Sequence, residues 1–117
     1  MTMGEAMKAS WYSVKCLFHH PTRKSDGEAF LYEERVTLWS AASFEEAHRL
    51  AEKEGRQYAK EAGCVFVAST DSFQLFDDEL SPGVEVYSSM RGSNLQPSDY
   101  RVTFCVTARD RLKPLGS

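Results

Sequence analysis

The sequence predicts a two-layer α+β domain in ββαββ order, with one helix packed on an antiparallel sheet of four to five strands. Three observations carry this expectation. Side-chain character alternates with the period of two of a half-buried strand over residues 11–20 and again over 30–40. A capping box at Ser43 opens a stretch whose apolar positions follow helical spacing. Further alternating stretches follow at residues 64–76 and 84–88. A single helix laid across one face of an antiparallel sheet is the simplest layered arrangement of that order.

In the first strand Tyr12, Val14, Cys16 and Phe18 alternate with Trp11, Ser13 and Lys15. The polar run 21–27, with Asp26-Gly27 as a turn pair, joins it to the second strand as a hairpin. There Phe30, Tyr32, Val36 and Leu38 share one face, read as the helix-facing one, with Leu31, Glu33, Arg35, Thr37 and Trp39 opposite. Glu34 shares the parity of Tyr32 and Val36, which places a carboxylate on the apolar face. Such a group is costly unless paired, and Lys15 and Arg91 are its candidate partners.

The helix follows. The Ser43 hydroxyl can accept from the Glu46 backbone N–H, and Phe44, Ala47, Ala51, Gly55, Tyr58 and Ala62 form one stripe, widened by Leu50. Glu45/Arg49 and Glu52/Arg56 are acid-first pairs four apart, as suits a solvated face. Gly63 supplies the stop. Gly55 inside the stripe costs about 1 kcal/mol against alanine, and is read as a position where helix and sheet come close. In the third strand the alternation changes parity between Val65/Val67 and Phe66/Ala68/Phe76, so a bulge is expected near residues 69–72. Residues 77–83 form an acidic turn ending in Pro82-Gly83, and residues 84–88 read as a fourth strand. In the tail, Tyr100, Val102, Phe104 and Val106 alternate as in a fifth strand, whereas Pro97-Ser98-Asp99 has the form of a helix start. The pattern favours the strand.

Length and composition bound the function. The chain has 117 residues, 42% hydrophobic and 26% charged, with net charge -3. That is ordinary for one domain able to fold without staples: residues 11–108 as the domain, with 1–10 and 109–117 as flexible ends. Basic and acidic residues are mixed along the chain, which argues against nucleic acid as a partner. No apolar run has the length of a membrane span or the form of a signal peptide. Cys16, Cys64 and Cys105 are widely spaced and odd in number, so spacing signals neither a disulfide framework nor a zinc site. The expected setting is cytoplasmic.

The stretches WYSVKCLF (11–18), YEERVTLWSAASFEEA (32–47), FQLFDDELSPGVEVYSSM (73–90) and SNLQPSDY (93–100) together resemble a bacterial family, domain of unknown function 4288. The resemblance covers roughly residues 11 to 100, and FDDELSPGVEVYS is its most specific part. Pro82 stands where a polar residue is more usual, and the Val/Thr-rich tail departs from a more acidic ending. The resemblance supports the α+β expectation and implies no activity.

Candidate sites are few. Asp77, Asp78 and Glu79 form the densest carboxylate group, but consecutive acids in a turn seldom converge on one cation. His19 and His20 are adjacent on a strand, point to opposite faces and cannot readily chelate one ion. A strand-end histidine with a satisfied hydrogen bond is the plainer reading. His48 lies near the helix edge. No Gly-x-Ser-x-Gly elbow, phosphate loop or activated cysteine is signalled. No catalytic residue, metal or cofactor is therefore expected. Trp11, Trp39 and Tyr87 fall on the parity assigned to the uncovered face, and large aromatics there mark a contact surface. With Asp77, Asp78 and Glu79 they are the expected protein-binding residues of an adaptor, regulatory or immunity-type module, or of a homodimer. The alternative is a small-ligand binder or minor enzyme with a cleft beside the helix, anchored by Glu34, His48 or the 77–79 acids.

Overall fold

The computed structural model describes residues 8–22, 29–77 and 79–105. Its elements are β1 (Ser10–His19), β2 (Tyr32–Ala41), α1 (Phe44–Ala62), β3 (Val65–Gln74) and α2 (Pro97–Phe104). Of the flexible ends expected at 1–10 and 109–117, residues 1–7 and 109–117 lie outside the described residues, as do the Asp26-Gly27 turn and Val106 of the expected fifth strand. Ser10, assigned to the N-terminal end, is already the first residue of β1.

The expected α+β hairpin-and-helix arrangement is present, but among the described residues the sheet has three strands, in the order β2-β1-β3, all antiparallel. β1 is central. Its Tyr12, Val14, Cys16 and Phe18 are buried beneath α1 and form the core with Ala41, Ala47, Ala51 and Ala59. The Phe18 ring meets Tyr58 and Phe66 edge-on at 5.1 and 5.7 Å, and Tyr12 meets Phe44 at 4.8 Å, the edge-to-face geometry that ring quadrupoles favour.

α1 starts and stops as its sequence dictates. Ser43 Oγ accepts from the Glu46 N–H at 3.1 Å, and the Glu46 carboxylate reaches back to the Ala42 N–H at 3.4 Å. At the other end Gly63 adopts φ +71, and the Cys64 N–H donates to the Ala59 carbonyl at 2.9 Å. The face turned to the sheet is made of Ala47, Ala51, Gly55 and Ala59. These small residues let the helix axis approach the aromatic rings of β1 and β3.

The bulge expected in β3 is there. The ladder passes from Cys16↔Ser69 to Val14↔Ser72, so Thr70 and Asp71 together face the single Lys15. A second register shift lies between Leu17 and Phe18.

Two expected strands are not strands. After β3, Ser81-Pro82-Gly83-Val84 makes a turn in which the Val84 N–H donates to the Ser81 carbonyl at 3.1 Å and Gly83 has φ +85, the type II form that Pro-Gly favours. Residues 84–88 then run outside the ladder. Residues 97–104 are the helix α2, the proline at its start outweighing the alternation of Tyr100, Val102 and Phe104. Tyr100 and Phe104, one turn apart, stack with centroids 4.9 Å apart.

The face assigned to β2 is reversed. Register pairs Tyr12 with Trp39, Val14 with Thr37, Cys16 with Arg35 and Phe18 with Glu33, so this set faces the helix. Trp39, expected on the uncovered face, packs against the core, its indole N–H donating to Thr37 Oγ1 at 2.7 Å. Tyr32, Val36 and Leu38, expected beneath the helix, are 56, 42 and 37% exposed on the outer face. Period-two alternation defines two faces but not which one meets the helix. Because α1 leans over β1 and β3, the inner side of β2 lies at its margin and takes polar partners.

Candidate functional site

Two regions gather side chains that the fold's own stability does not explain. The first is the outer face of the sheet. Trp11 lies there, as expected, on the parity of Ser13, Lys15 and Leu17. Tyr87 crosses onto it from the segment after β3, with the Lys15 ammonium 5.0 Å from its ring centroid. Burial, the neighbouring Asp71 carboxylate and the charge of Glu34 push the Tyr87 phenol up to about 12. Glu34, expected as a buried polar group, has a side chain 65% exposed and pairs with Lys15 at 3.4 Å, one of its two expected partners. Ser13 is fully buried on this face between Leu38 and Phe73, and among the described residues its hydroxyl has no hydrogen-bond partner. Toward the β2 edge, His19, Phe30 and Tyr32 form an aromatic cluster with centroids 5.4 to 6.4 Å apart.

The second region lies at the end of the sheet where β1 stops and α1 finishes. His20 follows β1, Glu33 is the second residue of β2, Tyr58 is in the last turns of α1, and Cys64 is the residue before β3. Glu33 organises them. His20 Nε2 lies 2.8 Å from Glu33 Oε1, and the Tyr58 hydroxyl lies 2.9 and 2.8 Å from the two carboxylate oxygens. The Cys64 thiol completes a group whose His, Glu and Cys donor atoms all lie within 4.8 Å of one another. His20 is buried, while Glu33 and Cys64 are partly open to solvent.

The electrostatics follow from these contacts. Burial acts to raise the Glu33 carboxyl, but its hydrogen bonds to His20 and Tyr58 outweigh that and hold it below its ordinary value. Accepting carboxylate oxygens hold the Tyr58 phenol up, and burial with the Glu33 charge does the same to the Cys64 thiol. Beside the group, Arg35 forks onto Glu54 at 2.5 and 3.0 Å and stacks on the Tyr58 ring at 4.1 Å. This clamp fixes the ring whose hydroxyl holds Glu33.

The remaining expected anchors are not assembled into a cleft. His48 Nδ1 lies 3.0 Å from Ser69 Oγ, and Ser69 donates to Glu52 at 2.6 Å. With its proton on Glu52, Ser69 accepts from His48 and is not prepared as a nucleophile. Asp77 and Glu79 are exposed, and Asp78 lies outside the described residues. An open groove of about 480 Å³ runs between Phe44 and residues 72–76, and its lining includes none of Glu34, His48, Asp77 or Glu79.

Of the clustered residues, the sequence pattern marks His20 only as a strand-end histidine with a partner, draws attention to Glu34 rather than Glu33, and gives Cys64 and Tyr58 as packing residues. Their separations match no ligand motif, so no local signal was available.

Fold and site together define a small α+β domain with a half-open sheet and a compact His/Glu/Tyr/Cys cluster at one end. Residues 11–88, more than half of the chain, match the family described as Domain of unknown function (DUF4288), and the chain belongs to that family. No curated protein and no solved structure matches it. Among the described residues, no helix is long and apolar enough to cross a membrane.

Proposed function

We propose that this protein is a small cytoplasmic interaction module without catalytic machinery, and that its first partner is a second copy of itself. One observation supports the reading: two apolar surfaces stay exposed among the described residues. The outer face of β2 presents Tyr32, Val36 and Leu38. The helix α2 has no buried residue and packs against no other helix or strand among the described residues, leaving Val102 and Phe104 78 and 49% exposed. An isolated helix of eight residues is far below the roughly 12–15 at which helices become marginally stable in water. A helix and a sheet face that each lack a partner among the described residues complement one another, and a two-fold pair of chains would satisfy both surfaces twice. Charge favours the same pairing, with Arg101 on α2 and the exposed Glu34 on the sheet face. The free thiols of Cys16, Cys64 and Cys105 suit a reducing compartment.

Sedimentation velocity across the micromolar range tests the reading. A dimer that dissociates in both Leu38→Asp and Val102→Asp, with circular dichroism unchanged, is expected. A monomer at every concentration overturns it. The second reading, a small-ligand protein, is favoured by the convergence of His20, Glu33, Tyr58 and Cys64 rather than by any cleft beside α1.

A further inference from the structure

We propose that His20, Glu33 and Cys64 form a binding site for a zinc-class divalent cation, with a fourth position open to solvent. The three donor atoms already lie within 4.8 Å of one another, and they come from three separate segments held by the sheet and the end of α1. Tetrahedral coordination with bonds of about 2.0–2.3 Å sets donor atoms roughly 3.3–3.8 Å apart. The cluster therefore reaches that geometry by small side-chain movements. His20 and Glu33 separate slightly from their 2.8 Å contact, and Cys64 closes in.

The donor chemistry selects the metal. A thiolate and an imidazole beside one carboxylate suit zinc and its neighbours and suit magnesium or calcium poorly. Without a cation, ionising Cys64 would set a thiolate against the Glu33 carboxylate. A divalent ion removes that repulsion and occupies the imidazole lone pair at the same time. On binding, the Cys64 S–H bond breaks, the sulfur keeps the electron pair as a metal–thiolate bond, and its proton goes to solvent. His20, whose Nε2–H faces the Glu33 carboxylate, passes to the Nδ1–H tautomer, which frees the Nε2 lone pair for the cation with no further proton released. Tyr58 is the positioning residue: its hydroxyl donates to Glu33, and Arg35 fixes its ring. The half-buried setting of Glu33 and Cys64 leaves room for a water at the fourth position.

Cobalt(II) substitution of the full chain, stripped of metal with chelator, tests the site. Wild type is expected to develop a thiolate-to-cobalt charge-transfer band and four-coordinate ligand-field bands, both abolished by one equivalent of Zn2+ and unaffected by Mg2+ or Ca2+. Cys64→Ser should lose the charge-transfer band while Cys105→Ser keeps it, each with a native circular dichroism spectrum. Tyr58→Phe should weaken Zn2+ binding by roughly 10–100-fold with the visible spectrum preserved. Folded wild type without a thiolate–cobalt band, or a band that survives in Cys64→Ser, overturns the proposal. Neither result bears on self-association, which is read by sedimentation.

Discussion

Gly55 and the Phe66 ring touch across the helix–sheet interface: a Cβ added to Gly55 would stand 3.0 Å from Cδ2 and Cε2 of Phe66 and 3.4 Å from Cζ of Phe18. The glycine that weakens α1 as an isolated helix is the one that lets it settle on the sheet. Gly55→Ala gains about 1 kcal/mol in helix propensity but overpacks the contact, which typically costs about 1–3 kcal/mol. A net loss of about 1 kcal/mol is expected in urea unfolding, with recovery when Phe66→Leu is added. A Gly55→Ala variant more stable than wild type, with the same secondary structure, would remove this explanation.

The Arg35–Glu54 fork joins β2 to the flank of α1 where apolar contacts are sparse. Both side chains are about a third exposed, at 29 and 34%. A double-mutant cycle with Arg35→Ala and Glu54→Ala should give a coupling of about 0.5–1 kcal/mol. The coupling should shrink as salt is raised from low to molar concentration. A coupling of zero at low salt would reduce the fork to a surface decoration.

Ser13 offers a gain of stability. Its hydroxyl is buried without a partner among the described residues, and such a group costs about 1–3 kcal/mol. Ser13→Ala is expected to raise the unfolding midpoint, by about 1 kcal/mol in free energy. A drop instead would show that the hydroxyl is satisfied within the folded chain, and would overturn this explanation.

Tyr87 gives a pH signature. Burial, then Asp71 and Glu34, lift its phenol to about 12 from an ordinary value of 10.0. Because the folded value is the higher one, the stabilising contribution is complete below pH 10 and is lost as pH climbs from 10 toward 12, where the unfolded chain ionises first. Absorbance at the tyrosinate band should show a late step near pH 12 that disappears in Tyr87→Phe and moves downward in Asp71→Asn. If the absorbance lost on Tyr87→Phe titrates at 10 instead, Tyr87 lies away from the sheet face.

What was readable in the chain was local. Ser43 and Glu46 set the start of α1, Gly63 its end, and the parity change after Val67 marked the bulge opposite Lys15. The hairpin of β1 and β2 followed from two alternating runs. The faces of β2 were not readable, because Tyr32/Val36/Leu38 is the more apolar set and still lies outside. Trp39 and Glu34 consequently lie on the sides opposite to those that alternation predicts. The tail misled for a related reason: residues 97–104 satisfy strand alternation and helical spacing alike, and Pro97 settled the matter.

By itself the sequence determined the α+β class, the first two strands, the helix and its caps, since each depends on dihedral preferences and contacts within a few residues. Only the tertiary structure decided that β1 is central and which side of β2 meets α1, left residues 84–88 outside the ladder among the described residues, and brought His20, Glu33, Tyr58 and Cys64 around one point. Those outcomes depend on where a whole helix rests on a whole sheet. Packing of Gly55 against Phe66 sets that position, and no short-range pattern encodes it.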